Sequence, residues 1–200
     1  SDKNIQMRNN ADGTFTGQSE KMGEYKSGTI SRDAAFGDFD EDEDIDLVVV
    51  NENSSDIFYS NQRLGVFRDI TKEAGLISEG GSTSVAAGDY NNDGFLDLFI
   101  TSLNEGGHKL LRNNGTGVFE PESETAEMFS SLMNVKAYDA SFIDFNNDGF
   151  LDLLVAGESS EQNVRGLFLY YNDGKGTFTD VSRILPAEPA RGRQITIFDY

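Results

Sequence analysis

The sequence predicts an all-β repeat fold, assembled from four-stranded antiparallel units, on three observations. Aspartates that open an acidic loop recur at Asp38, Asp89, Asp144 and Asp199, at intervals of 51, 55 and 55 residues. Each complete loop runs straight into a short apolar run rich in branched residues, as in a strand covered on both faces. Two more strand-like runs then follow, the first ending in asparagine and the second entered through a glycine-containing turn. Repeats of about 40–50 residues with four strands each point to propeller blades. The expected fold class is therefore a β-propeller, present as an incomplete ring of three full blades with partial blades at either end.

In chain order, residues 1–29 form a partial blade and link, because 5–16 match 110–119 and so correspond to strands three and four. Blade 30–82 has strands expected at 34–37, 47–50, 57–61 and 65–67, with its loop at 38–46. Blade 83–136 has them at 85–88, 98–100, 109–113 and 117–119, with its loop at 89–97. Blade 137–193 has them at 140–143, 153–155, 167–172 and 176–178, with its loop at 144–152. Residues 194–200 read as the first strand of a further blade, cut off just after Asp199. Asparagine and glycine at the hairpin turns accept positive φ at little cost. A closed ring needs about four to eight blades, so the expectation is a segment of a longer protein whose remaining blades are its first partners.

The three loops fit D-x-[DN]-x-D-x-x-x-D. Oxygen-bearing side chains stand at positions 1, 3, 5 and 9: Asp38, Asp40, Asp42 and Asp46; Asp89, Asn91, Asp93 and Asp97; Asp144, Asn146, Asp148 and Asp152. Position 7 (Asp44, Phe95, Phe150) is expected to add its backbone carbonyl. That spacing wraps a hard cation in oxygen donors, and calcium is the expected ion. An EF-hand is excluded, since it needs a glutamate at position 12 and flanking helices; here position 12 is Val49, Ile100 and Val155, within strand sequence. Glu43 replaces the position-6 glycine of the first loop, which makes 38–46 the irregular site.

The formal net charge is −19, and thirteen of the 35 acidic residues lie within the three loops. Three divalent cations would offset six of those charges. The remainder disfavours nucleic acid and anionic membrane as partners. The absence of cysteine rules out a disulfide frame and a thiolate metal site. No apolar run approaches a membrane-spanning length.

The run from Phe36-Gly37-Asp38 to Val50, with its two successors, resembles FG-GAP/VCBS repeats, the blade unit of integrin-α-like propellers. Residues 67–76 resemble the inter-blade link of the cartilage-acidic-protein/ASPIC-UnbV branch. The resemblance implies calcium in the strand 1–2 hairpins and binding on the opposite face. That face would comprise loops 51–56, 102–108 and 157–165 with links 71–82, 121–136 and 182–193.

The function expected is a non-enzymatic, calcium-stabilised segment of a secreted, periplasmic or cell-surface protein. It would act in adhesion or in recognition of a protein or glycan ligand. The alternative is the propeller part of a polysaccharide-acting enzyme. His108, the sole histidine, is expected to be a polar loop residue, since no nucleophile motif accompanies it. Phe15, Phe67, Phe119 and Phe178 recur once per blade as packing residues, and the Arg191–Arg193 stretch is too short for a basic site.

Overall fold

A computed structural model describes residues 5–22, 28–159, 166–185 and 192–197. It has the expected all-β architecture. A two-stranded sheet of β1 (Met7–Asn9) and β2 (Phe15–Gly17) precedes three four-stranded antiparallel sheets. Blade one holds β3 (Ser31–Gly37), β4 (Asp46–Asn51), β5 (Ile57–Asn61) and β6 (Phe67–Asp69). Blade two holds β7 (Ser82–Gly88), β8 (Asp97–Ser102), β9 (Lys109–Asn113) and β10 (Phe119–Pro121). Blade three holds β11 (Val135–Ile143), β12 (Asp152–Ser159), β13 (Leu167–Asn172) and β14 (Phe178–Asp180). In each blade the strands lie in sequence order, as hairpin connections require. Residues 198–200, with Asp199, lie outside the described residues, as do 160–165 and 186–191 of the predicted opposite-face loops.

The second strands of the first two blades are covered on both faces, and every residue of β4 and β8 is buried. These strands feed cores that lie between blades. One unites Phe39, Val48 and Phe58 of blade one with Leu98, Leu111 and Phe119 of blade two. Another unites Tyr90, Phe99 and Leu110 of blade two with Leu153, Phe168 and Phe178 of blade three. Burying such large side chains between sheets contributes about 1.5–3 kcal/mol each, so neighbouring blades stabilise one another.

The innermost strands carry a bulge at equivalent positions, between Ser31 and Asp33, Ser82 and Val85, and Ala137 and Asp139. The bulges aim polar groups across the blades. Ser84 Oγ lies 2.7 Å from Asp33 Oδ2 and 2.9 Å from Asp139 Oδ1.

Three details differ from the sequence reading. Strand four begins at its phenylalanine, because Gly65 and Val66 belong to a turn closed by the Val66 amide donating to Arg63 O. Of the recurring phenylalanines, Phe119 and Phe178 are buried, Phe67 is half-buried, and Phe15 is 58% exposed on its two-stranded sheet. The link of blade two forms a short helix, α1 (Thr125–Met128), which leads Phe129 into the core between blades two and three.

Candidate metal centres

The loops at 38–46, 89–97 and 144–152 join the first and second strands of their blades and share one hydrogen-bond pattern. The position-1 carboxylate accepts two amides with its two oxygens. Asp38 takes those of Asp42 and Glu43 at 3.1 and 3.0 Å. Asp89 takes those of Asp93 and Gly94 at 3.1 and 2.9 Å. Asp144 takes those of Asp148 and Gly149 at 3.0 and 2.9 Å. At position 5, Asp42, Asp93 and Asp148 each accept the amide of position 7 at 2.9–3.0 Å. Asn91 and Asn146 accept the amide two residues on.

The loops turn through left-handed residues at positions 4 and 6. These are Asn92 and Gly94, and Asn147 and Gly149, in the second and third loops. Glu41 (φ 61°) and Glu43 (φ 68°) adopt the same conformation in the first. Glu43 therefore bends where glycine would, at the cost of crowding its Cβ.

Position 7 accounts for a further difference. Phe95 and Phe150 lie over Gly115 and Gly174 in the strand 3–4 turn, where an added methyl would come within 2.5 Å of the ring. In blade one both partners are exchanged, so that Asp44 pairs instead with Arg63 at 3.0 Å. The Asp44 carboxylate is thus held by the turn.

Position 9 has a role that sequence spacing did not reveal. Asp46, Asp97 and Asp152 are fully buried. Each Oδ1 accepts the amide of the asparagine that ends strand three, Asn61, Asn113 or Asn172, at 2.8 Å. Oδ2 of Asp46 and of Asp152 takes the position-2 amide at 3.2 Å. Burial is the main cause of raised carboxyl pKa values, to about 6 for Asp46 and about 7 for Asp97, with Asp152 raised as well. Backbone amides oppose the rise, and neighbouring loop carboxylates add to it.

The donor set fits a hard divalent cation. One oxygen from each of Asp38, Asp40 and Asp42 lies within 4.8 Å of the others. Asp40 Oδ1 is buried without a hydrogen-bond partner, and its carboxyl is raised by burial and then by Asp42 and Asp38. Asp97 Oδ2 is likewise buried and unpartnered; the nearby Tyr90 amide moderates its rise without completing a hydrogen bond. Buried oxygens without donors are costly unless a cation or water completes them. Loop 38–46 thus brings positions 1, 3 and 5 together, and in all three loops position 9 is buried at the base of the hairpin. The carboxylates of Asp38, Asp40 and Asp42 stand where Asn91 and Asn146 dilute the charge of the other loops.

A model of the FG-GAP-like repeat matches residues 38–100, 90–155 and 144–200, each match running from one loop into the next. The chain belongs to the FG-GAP-like repeat family. It is 29% identical over 149 residues to the T-cell immunomodulatory proteins of Homo sapiens and Mus musculus, covering 72% of this chain and 24% of each relative. It is 26% identical over 211 residues to cartilage acidic protein 1 of Xenopus tropicalis, covering 98% of this chain and 31% of the relative. The chain thus spans about a quarter to a third of the length of these curated relatives.

His108 ends the 102–108 loop, as expected of a loop residue, away from the FG-GAP loops, and is buried there. Nδ1 accepts the Ser102 amide at 3.2 Å, and Nε2 faces the carbonyls of Leu132 and Val135 at 3.3 and 3.1 Å. Both nitrogens are engaged, and burial lowers the pKa. The ring closes loop 102–108 onto the residues leading into β11, so it is a structural histidine. Arg193 lies 4.0 Å from the Tyr138 ring centroid and pairs with Glu158, whereas Arg191 lies outside the described residues.

Proposed function

We propose that the chain is a calcium-stabilised propeller segment of a secreted or cell-surface protein, acting in adhesion or in recognition of a protein or glycan. The observation that carries the calcium reading is the buried, unpartnered oxygens of Asp40 and Asp97 within loops whose other donors are all oxygen. Asp38, Asp40 and Asp42, with their counterparts Asp89, Asn91 and Asp93 and Asp144, Asn146 and Asp148, would hold the ions. Asp46, Asp97 and Asp152, and the position-7 carbonyls of Asp44, Phe95 and Phe150, would complete each set. Bound calcium would cancel carboxylate repulsion at the hairpin, so affinity appears as folding stability. Sites of modest affinity, about 0.1–1 mM, fill outside cells and stay empty in cytosol. Among the described residues, no helix is long and apolar enough to cross a membrane.

Recognition would use the face opposite the loops. A groove of about 720 Å³ lies there in blade one, lined by Ser54, Asp56, Thr71, Lys72, Leu76 and Ile77. Its lining of mixed apolar and polar side chains suits a peptide or sugar. Calorimetric titration with calcium tests the metal reading, with saturable heat expected and with Asp93→Ala and Asp148→Ala each removing a part of it. Glycan and protein arrays probed with calcium and with EDTA test the recognition reading. Binding that survives substitution of Lys72 and Ile77 would exclude this groove.

A further inference from the structure

Loops 38–46 and 89–97 are each gripped by the blade that follows. Asn113 Nδ2 donates to Phe39 O at 2.8 Å and to Leu96 O at 3.1 Å. Asn172 Nδ2 donates to Tyr90 O at 2.7 Å and to Leu151 O at 2.9 Å. Phe39 and Tyr90 occupy position 2 of the preceding loop, between ligand positions 1 and 3; Leu96 and Leu151 occupy position 8 of the asparagine's own loop. One side-chain amide therefore spends both protons tying two successive loops together. Its oxygen is also engaged, accepting the Gly115 or Gly174 amide at 3.0 or 3.1 Å. Aspartate has the same shape but no protons to donate and could not do this.

The side chains repeat the connection. Phe39 is fully buried with its ring 5.8 Å from Phe119, and Tyr90 lies 5.7 Å from Phe178, each partner opening strand four of the next blade. The next blade's turn backs ligand position 3 as well. A methyl on Gly117 would come within 3.1 Å of Asp40 Cβ, and one on Gly176 within 3.8 Å of Asn91 Cβ. Leu96 and Leu151 rest on Gly37 and Gly88, the residues just before Asp38 and Asp89. The contacts recur at both blade junctions with equivalent residues.

We propose that Asn113 and Asn172 are positioning residues for the metal loop of the preceding blade, so that cation binding by a loop and docking of the following blade form one coupled equilibrium. This rests on the calcium reading above. Fixing the position-2 peptide and wedging its side chain sets where positions 1 and 3 present their oxygens. By linkage, a filled loop in turn favours the docked blade by the same factor. The loops and asparagines then form one chain, 38–46 to Asn113 to 89–97 to Asn172 to 144–152.

The test reads calcium affinity loop by loop from the amide resonances of Glu43, Gly94 and Gly149 in the whole protein. Asn113→Ala is expected to weaken loop 38–46 by at least about 5-fold, the low end of ordinary coupling between sites, and to spare 144–152. Asn172→Ala should weaken 89–97 by a similar factor and spare 38–46. Equal weakening of all three loops, or weakening confined to the asparagine's own blade, overturns the proposal. A second arm leaves both asparagines intact and follows amide exchange in Asp40→Ala with calcium present. Protection at Asn114 and Gly115, in blade two, should fall although loop 89–97 is unaltered; unchanged protection there overturns the coupling while leaving calcium binding standing. If none of the three amides responds to calcium, the calcium reading and this inference fall together.

Discussion

Replacing Glu43 with glycine should stabilise the protein. Glu43 sits at φ 68°, where the second and third loops have Gly94 at 95° and Gly149 at 87°. A side chain in the left-handed region costs about 1–2 kcal/mol. Glycine offsets part of that relief by about 0.5–1 kcal/mol, because it loses more backbone freedom on folding. The net gain is about 0.5–1 kcal/mol, which corresponds to a rise in Tm of about 1–4 °C for a chain of this size. The Glu43 side chain is exposed, and the amide it contributes to Asp38 Oδ2 is retained in glycine, so no hydrogen bond is lost. Scanning calorimetry in EDTA is the suitable assay, since it isolates the backbone term from the metal. Gly94→Glu is the reciprocal change and should lower Tm by a similar amount. A fall in Tm for Glu43→Gly, or a neutral Gly94→Glu, would refute the argument that position 6 is strained in loop one.

Other outcomes follow from the same geometry. Phe119→Ala should cost about 3–5 kcal/mol by chemical denaturation, because its ring packs against Phe39 and Phe58 across a blade junction. Phe15→Ala, at the equivalent repeat position but exposed, should change stability by less than about 0.5 kcal/mol. His108 has a lowered pKa in the folded state, so as pH falls through its unfolded value of about 6.5 the unfolded chain takes the proton first and stability drops. His108→Gln, which keeps a donor and an acceptor without titrating, should flatten that part of the stability–pH curve; an unchanged slope would place the acid sensitivity elsewhere. Asp97→Asn should raise Tm by a few degrees in EDTA, since it removes a buried charge yet keeps the acceptor for the Asn113 amide. In calcium the same variant should gain less from the ion than the parent protein, and a lower Tm in both conditions would contradict this.

The fold was legible because the repeat places its signals within short windows. Loop spacing, the apolar run after Asp46, Asp97 and Asp152, and the strand-three asparagines can all be read within one period. The contacts those asparagines make with the preceding blade were not legible. Asn113 meets Phe39 from 74 residues away and Asn172 meets Tyr90 from 82, and no local pattern marks a contact between blades. His108 escaped for the same reason, since its carbonyl partners lie 24 and 27 residues further on. The exchange of Phe95 over Gly115 for Asp44 with Arg63 left a trace, because both changes occur in blade one. It becomes visible only when loop and turn are compared together. Equivalent repeat positions also differ in burial: Phe15 and Phe119 share a motif position, but among the described residues a neighbouring blade's loop packs against Phe119 and not against Phe15.

If calcium holds the FG-GAP hairpins together, thermal unfolding across a calcium series reads the effect as a shift in Tm. A site filled to 100 times its Kd contributes about 2.7 kcal/mol, or a rise of about 5–11 °C at this chain length. Tm should therefore climb steadily from EDTA into millimolar calcium and return when chelator is restored. A melting temperature that stays within about 1 °C over that whole range would mean that calcium does not hold the hairpins.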